Sequence, residues 1–199
     1  VTDDPRIILA SQSPRRAELL RGLGLEFEIR TVPIDEDVDI PDPKEHVSVL
    51  SRNKAEAVSE RIQSGLVIGA DTIVYHDGAI LGKPEDPANA IRMLRKLSGQ
   101  THQVFTGLTL ILNHEKTLTD VVSTDVTFRT LTDPEIEAYV ASEEPLDKAG
   151  AYGIQGRAGL FVESIQGCYF NVVGFPIARF YERMGELLNS RSIALFFKR

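Results

Sequence analysis

Apolar positions along this chain alternate between strand-like runs and helix-like spacing. Arg6-Ile7-Ile8-Leu9-Ala10 reads as a first strand. Ser11-Gln12-Ser13-Pro14 then turns into a helix, with Ser13 as the cap and Pro14 at the first helical position. Leu19, Leu20 and Leu23 form its apolar stripe, and Gly22 with Gly24 supply the stop. Phe27-Glu28-Ile29-Arg30-Thr31-Val32 alternates like a half-exposed strand ending at Pro33. From 43 to about 62, Val47, Leu50, Ala55 and Val58 fall near one helical face. Leu66-Val67-Ile68-Gly69-Ala70 then climbs without polar interruption to Asp71 and Thr72, followed by Ile73-Val74. Such a run predicts a strand buried on both faces, with a carboxylate at its end.

The second half continues the alternation. His76-Asp77-Gly78-Ala79 predicts a hairpin turn, returning along Ile80-Leu81-Gly82 to Lys83-Pro84. A tight hairpin would carry Lys83 toward Asp71's end of the sheet. Asp86-Pro87 opens a helix to about 97, with Ile91, Met93, Leu94 and Leu97 as its apolar set. A long hairpin follows, 104–112 outward and 121–130 back, turning at Asn113-His114-Glu115-Lys116. Asp133-Pro134 starts a helix through Tyr139 and Val140, where Thr132 and Glu135 have capping-box spacing. The segment 145–156 is too glycine-rich for a packed helix. Leu160-Phe161-Val162 and Tyr169-Phe170-Asn171-Val172-Val173 read as strands, and Pro176 opens a last helix to about 188. The order of elements places the chain in the α/β class.

With 199 residues, the chain can bury a real core without disulfides, as one domain with two lobes. Cys168 is the lone cysteine, which points to a reducing cytoplasm. The start, Val1-Thr2-Asp3-Asp4-Pro5, is acidic rather than signal-like, and no apolar stretch reaches membrane-spanning length. A net charge of −7 disfavours broad binding to nucleic acid, so an anionic ligand needs a local basic pocket.

Five features offer such chemistry, most with a plainer reading beside them. Asp71 closes an apolar run, where a carboxylate wants a metal, a cation or a solvated mouth; it is otherwise a solvated strand-end acid. The helix start after Ser13 is an anion site, and Arg15 and Arg16 add two guanidinium forks there. Cations at that end oppose the helix dipole, which argues against a purely structural choice. Asp35, Glu36, Asp37 and Asp39 form an acidic loop, either solvated or countered by a hard divalent cation. Lys54 sits on its helix among small or apolar neighbours, where a lysine commonly snorkels to water. Gln155, between apolar and glycine neighbours, offers an amide that would read a base edge. His46, His76, His102 and His114 show no ligand spacing.

Ala10-Ser11-Gln12-Ser13-Pro14-Arg15-Arg16, Gly69-Ala70-Asp71-Thr72, Gly82-Lys83-Pro84 and Ala149-Gly150-Ala151-Tyr152-Gly153-Ile154-Gln155-Gly156 together resemble the Maf family of nucleotide pyrophosphatases. Leu94-Arg95-Lys96-Leu97-Ser98-Gly99 fits as well, so the likeness runs essentially end to end. The resemblance implies a mixed, twisted β-sheet flanked by helices in an ITPase-like arrangement, with the site in a cleft between two lobes. It implies a cytoplasmic enzyme using Mg²⁺ or Mn²⁺ that splits nucleoside triphosphates into monophosphate and pyrophosphate. Family members clear modified nucleotides, are linked in bacteria to arrest of septum formation, and are often homodimers; neither nucleic acid nor membrane is an expected partner.

Residue by residue, the resemblance puts Asp71 in the proton-acceptor place and Ser11, Arg15, Arg16, Lys54 and Lys83 around the phosphates. Glu36 would hold the metal with Asp71. Arg16, Thr72 and Gln155 match the specificity positions of the branch preferring dTTP and UTP, whereas the branch acting on 7-methyl-GTP differs there. Ser51, where an alanine is common, and the acidic Asp3-Asp4 are the departures, and neither touches a motif. Two rival readings remain: a nucleotide-sensing regulator of cell division, and an enzyme preferring another nucleotide.

Overall fold

Ile7, Ile8 and Leu9 form the first strand, β1 (Ile7–Leu9), between two parallel neighbours. β2 (Glu28–Ile29) pairs Glu28 with Ile8, and β3 (Leu66–His76) pairs Leu66, Val67 and Ile68 with Ile7, Ile8 and Leu9. These positions come from a computed structural model describing residues 5–188. The acidic start Val1-Thr2-Asp3-Asp4 lies outside the described residues. The remaining strands are β4 (Ala79–Leu81), β5 (Thr101–Leu112), β6 (Lys116–Phe128) and β7 (Val162–Gln166). They hydrogen-bond in the order β2-β1-β3-β5-β6-β7, with β4 also on β3. The β3/β4 and β6/β7 pairs are antiparallel, so the sheet is mixed, as the resemblance implies.

The chain divides into two compact units. One holds the residues up to Asp71, Thr106–Val122 and those from Gly174 onward; the other holds Thr72–Phe105 and Ser123–Val173. In the first unit, strand alternation sends side chains to two apolar layers. Ile7, Leu9, Leu66, Ile68 and Ala70 join one core with α1 (Pro14–Gly22) and α6 (Ile177–Leu188), through Leu20, Phe180 and Met184. Ile8, Ala10 and Val67 face the opposite way, onto Ala55 and Val58 of α2 (Pro43–Ser59). Burial on both faces is why this stretch reads as an uninterrupted apolar run.

In the second unit, Val74 and Leu81 pack with α3 (Pro87–Leu97) and α4 (Asp133–Ala141) through Leu94, Leu97, Ile136 and Tyr139. Local signals fold these helices as expected. Asp86 accepts from the Asn89 N–H, and Thr132 with Glu135 closes the capping box. The β3–β4 turn runs through Asp77 and Gly78 at φ 49° and 75°, the conformation that Asp-Gly favours.

Three expectations give way to tertiary contacts. The alternation over 27–32 yields only the two-residue β2, both of whose residues are exposed. Leu160 and Phe161 belong to a 3-10 turn (Arg157–Phe161), and β7 starts at Val162. Tyr169–Val173 is not a strand but a short helix, α5, despite its aromatic and β-branched residues. Asn171 decides this, because its buried amide donates to the Val104 carbonyl and Thr124 Oγ1, both at 3.0 Å. A helical turn, closed by the Asn171 N–H onto the Cys168 carbonyl, aims the side chain there.

His102 is buried in this second core, edge-on to Phe128 and Tyr152, with Nε2 2.8 Å from the Tyr152 hydroxyl. Its Nδ1 has no hydrogen-bond partner. Burial, with a smaller push from His76, lowers the His102 pKa from 6.5 to about 3. Between those values the unfolded chain binds the proton and the folded chain does not. Stability therefore falls as pH drops through that window, by at most about 1.4 kcal/mol per pH unit from this group. Urea midpoints measured at pH 7, 5 and 4 should fall less steeply in His102→Gln, and equal slopes would remove His102 from the acid response.

Candidate active site

Helix α2 lies so close to the first unit's sheet that two strand positions there have no room for a side chain. A Cβ on Gly69 of β3 would stand 2.3 Å from the Ser51 carbonyl oxygen, and one on Gly107 of β5 would stand 2.0 Å from that of Val47. The fully buried Ser51 hydroxyl donates to the Ser48 carbonyl at 3.0 Å and shares a hydrogen bond with Thr109 Oγ1 at 2.9 Å. Ser51, which the sequence marks only as a departure from a common alanine, thus helps join helix to sheet. Lys54 follows three residues on, along the same face of α2. Its Nζ reaches Asp71 Oδ1 at 2.8 Å and Glu36 Oε2 at 3.1 Å.

Asp71 is not at the end of its own strand, since β3 continues to His76. It lies beyond the end of β1, whose pairing with β3 stops at Leu9 opposite Ile68, and the Ala10 N–H then donates to the Ile68 carbonyl. The neighbour's length, invisible in the run itself, places this carboxylate past a strand end. Asp71 is only 7% exposed and is countered by a lysine, so a merely solvated acid does not describe it. Glu36 reaches Lys54 while staying exposed, as Asp35, Asp37 and Asp39 around it also are.

Arg16 sits in the first turn of α1 and folds back over the loop before it. One guanidinium nitrogen donates to Ser11 Oγ at 3.0 Å and to the Ala70 carbonyl at 2.9 Å, and Nε donates to the Gly174 carbonyl at 2.9 Å. Ser11 Oγ also accepts the Ser13 N–H at 3.2 Å. Ser13 is the cap residue by position, yet its own hydroxyl makes no cap bond. Burial lowers the Arg16 pKa, Asp71 opposes that, and Arg15 and Glu36 add smaller effects of opposite sign. Arg16 therefore ties the α1 start to the residue preceding Asp71. The carbonyls of Ala70 and Gly174 are the partners that sequence reasoning missed.

The model of the Maf-like protein family matches residues 6–187. This chain belongs to the Maf-like family. A relative from Carboxydothermus hydrogenoformans, named dTTP/UTP pyrophosphatase, is 50% identical over 91% of this chain and 98% of its own. Relatives of the same name from Bacillus cytotoxicus and Bacillus mycoides are 47% and 51% identical, over 95% and 91% of this chain and 99% and 95% of theirs.

In this Maf-like chain the structure gathers Ser11, Arg16, Glu36, Lys54 and Asp71 in the first unit, with the half-buried Arg15 beside Arg16 on α1. Thr72, Lys83 and Gln155 belong to the second unit. Thr72 directly follows Asp71 in β3 and is half-buried. The β3–β4 register pairs Leu81 with Val74, and β4 ends there, so the exposed Lys83 follows the strand rather than extending it. Gln155 is exposed on the glycine-rich turn.

Among the described residues, no three or more His, Cys, Asp or Glu side chains cluster as a metal cage. Glu36 and Asp71 nevertheless converge on a single ammonium, as two oxygen donors around one positive charge. A Mg²⁺-type ion, held by one or two carboxylates together with phosphate oxygens and water, fits that donor set. Among the described residues, no helix is long and apolar enough to cross a membrane.

Proposed function

We propose that this Maf-like protein hydrolyses dTTP and UTP to the monophosphate and pyrophosphate, and accepts modified pyrimidine triphosphates in the same pocket. Support comes from identity of about one half, along nearly the whole chain, to relatives carrying that activity in their names. The observation that carries the reading is the buried Asp71 carboxylate held by Lys54, next to a carbonyl gripped by Arg16.

In this reading Asp71 is the general base that orients and deprotonates a water aimed at the α-phosphorus. Pyrophosphate leaves directly, so no covalent intermediate is needed. Lys54, Lys83, Arg15, Arg16, Ser11 and the α1 N-terminus counter the phosphate charge that an acidic protein would otherwise repel. Glu36 and Asp71 would hold a divalent ion, which when bound supplies charge neutralisation and a template for the phosphates. Arg16, Thr72 and Gln155 set the pyrimidine preference. The protein works in the cytoplasm, where the lone Cys168 stays reduced.

The test is pyrophosphate release by the purified protein with Mg²⁺ or Mn²⁺ across natural and modified triphosphates. dTTP and UTP should lead, with monophosphate and pyrophosphate formed one to one. Orthophosphate as the product, or a purine preference, would overturn the assignment.

A further inference from the structure

The turn that carries Gln155 is held at both ends by one hydrogen-bonded relay. At its start, the Gly153 N–H donates to the Tyr139 hydroxyl oxygen at 3.3 Å. That hydroxyl donates to Glu144 Oε1 at 3.2 Å. At the far end, the Arg157 N–H donates to the same carboxylate, 3.1 Å from Oε1 and 3.4 Å from Oε2. Between these anchors, the Gly156 N–H closes onto the Gly153 carbonyl at 3.0 Å, leaving Gln155 exposed at the tip.

The anchors themselves are fixed. Tyr139 is buried in α4 and packs edge-on against Phe161, with ring centroids 5.1 Å apart. Burial raises its phenol pKa, so the hydroxyl keeps its proton and donates. Glu144 opens a 3-10 turn (Glu144–Asp147), and the Lys148 ammonium donates to the Glu144 carbonyl at 2.5 Å. Its carboxylate lies flat against the loop, since a Cβ on Gly156 would stand 1.9 Å from Oε1. A side chain at the tip of a turn pinned this way is pre-organised, and its hydrogen bonds to a ligand need little further ordering.

We propose that Glu144, acting with Tyr139, is a positioning residue for base selection, holding the 153–157 turn so that the Gln155 amide meets the edge of a pyrimidine. This rests on the base-reading role proposed for Gln155 above. Neither Glu144 nor Tyr139 touches the nucleotide in this scheme; both act through the main chain of the turn.

The experiment compares kcat/KM for UTP with that for CTP and GTP in Gln155→Ala, Glu144→Ala, Glu144→Gln, Tyr139→Phe and the double variant Glu144→Ala/Gln155→Ala. Loss of one base hydrogen bond should lower the UTP:CTP ratio about tenfold in Gln155→Ala. Glu144→Ala should lower it to a similar extent, and the double variant should be no worse than Gln155→Ala alone. Glu144→Gln keeps a carbonyl oxygen for the Arg157 N–H and should retain most of the selectivity. A purely structural role would instead depress kcat/KM for every nucleotide alike and leave the ratio unchanged. If Gln155→Ala loses selectivity while Glu144→Ala and Tyr139→Phe keep it, the inference falls and the base-reading role stands. If Gln155→Ala keeps full selectivity, both fall, because the turn then has no reader to position. Should Glu144→Ala fail to fold, Tyr139→Phe, which lacks a single oxygen, decides the matter.

Discussion

Asp71→Asn should lower kcat for dTTP by about 10²- to 10⁴-fold, the range expected when a positioned general base is lost. The substitution preserves shape and leaves Lys54 an amide oxygen in place of Oδ1, together with its bond to Glu36. Nucleotide affinity, measured by calorimetry on the variant, should therefore stay within about tenfold of the parent, because the cations proposed to counter the phosphates remain (about 1.4 kcal/mol per decade). Thermal unfolding run in parallel would show whether any lost activity is lost fold. Turnover within tenfold of the parent would take Asp71 out of the chemistry and leave its burial beside Lys54 as a structural ion pair.

Gly107→Ala should destabilise the protein by about 3 kcal/mol or more, read as a shift in the urea midpoint. The added methyl would meet the Val47 carbonyl oxygen at 2.0 Å and its carbon at 2.5 Å. Both belong to α2 backbone, which has no rotamer to change and must lift as a unit. Lifting α2 strains the Ser51–Thr109 hydrogen bond and withdraws Lys54 from Asp71 and Glu36, so turnover should fall along with stability. Gly22→Ala serves as the control. It sits in α1 with nothing within 4 Å of the added methyl and should change stability by no more than about 0.5 kcal/mol. A Gly107→Ala protein as stable as its parent would mean that α2 is not seated tightly on β5.

The contrast between these positions reflects what local sequence can and cannot signal. Helices α2, α3 and α4 announce themselves through Asp42, Asp86 and Thr132 at their caps and a proline just inside each. The first half of strand β3, 66–70, is equally plain, because burial on both faces leaves only apolar residues there. Gly107 gives no such signal; a glycine inside a strand run hints at a close approach without naming what approaches. The α5 turn reads as a strand because Asn171 alone, through partners on β5 and β6, selects helix. For the candidate site, residue types were legible and partnerships were not. Asp71 and Arg16 stand out by their settings, but the convergence of Lys54 on Asp71 and Glu36 depends on how deeply α2 seats. The grip of Arg16 on the Ala70 and Gly174 carbonyls involves main chain 54 and 158 residues away in sequence.

The two compact units are woven from separate stretches of chain, with boundaries after Asp71, Phe105, Val122 and Val173. The first three cuts fall inside β3, β5 and β6, so no single splice between two relatives transfers one unit whole. Moving Thr72, Lys83 and Gln155 together into another family member takes two inserts, Thr72–Phe105 and Ser123–Val173, with three of their four junctions in mid-strand, while Arg16 stays with the recipient. Under the specificity roles proposed for Arg16, Thr72 and Gln155, substrate choice would be hard to acquire by exchanging blocks of gene, and point substitution would be the open route to a new one.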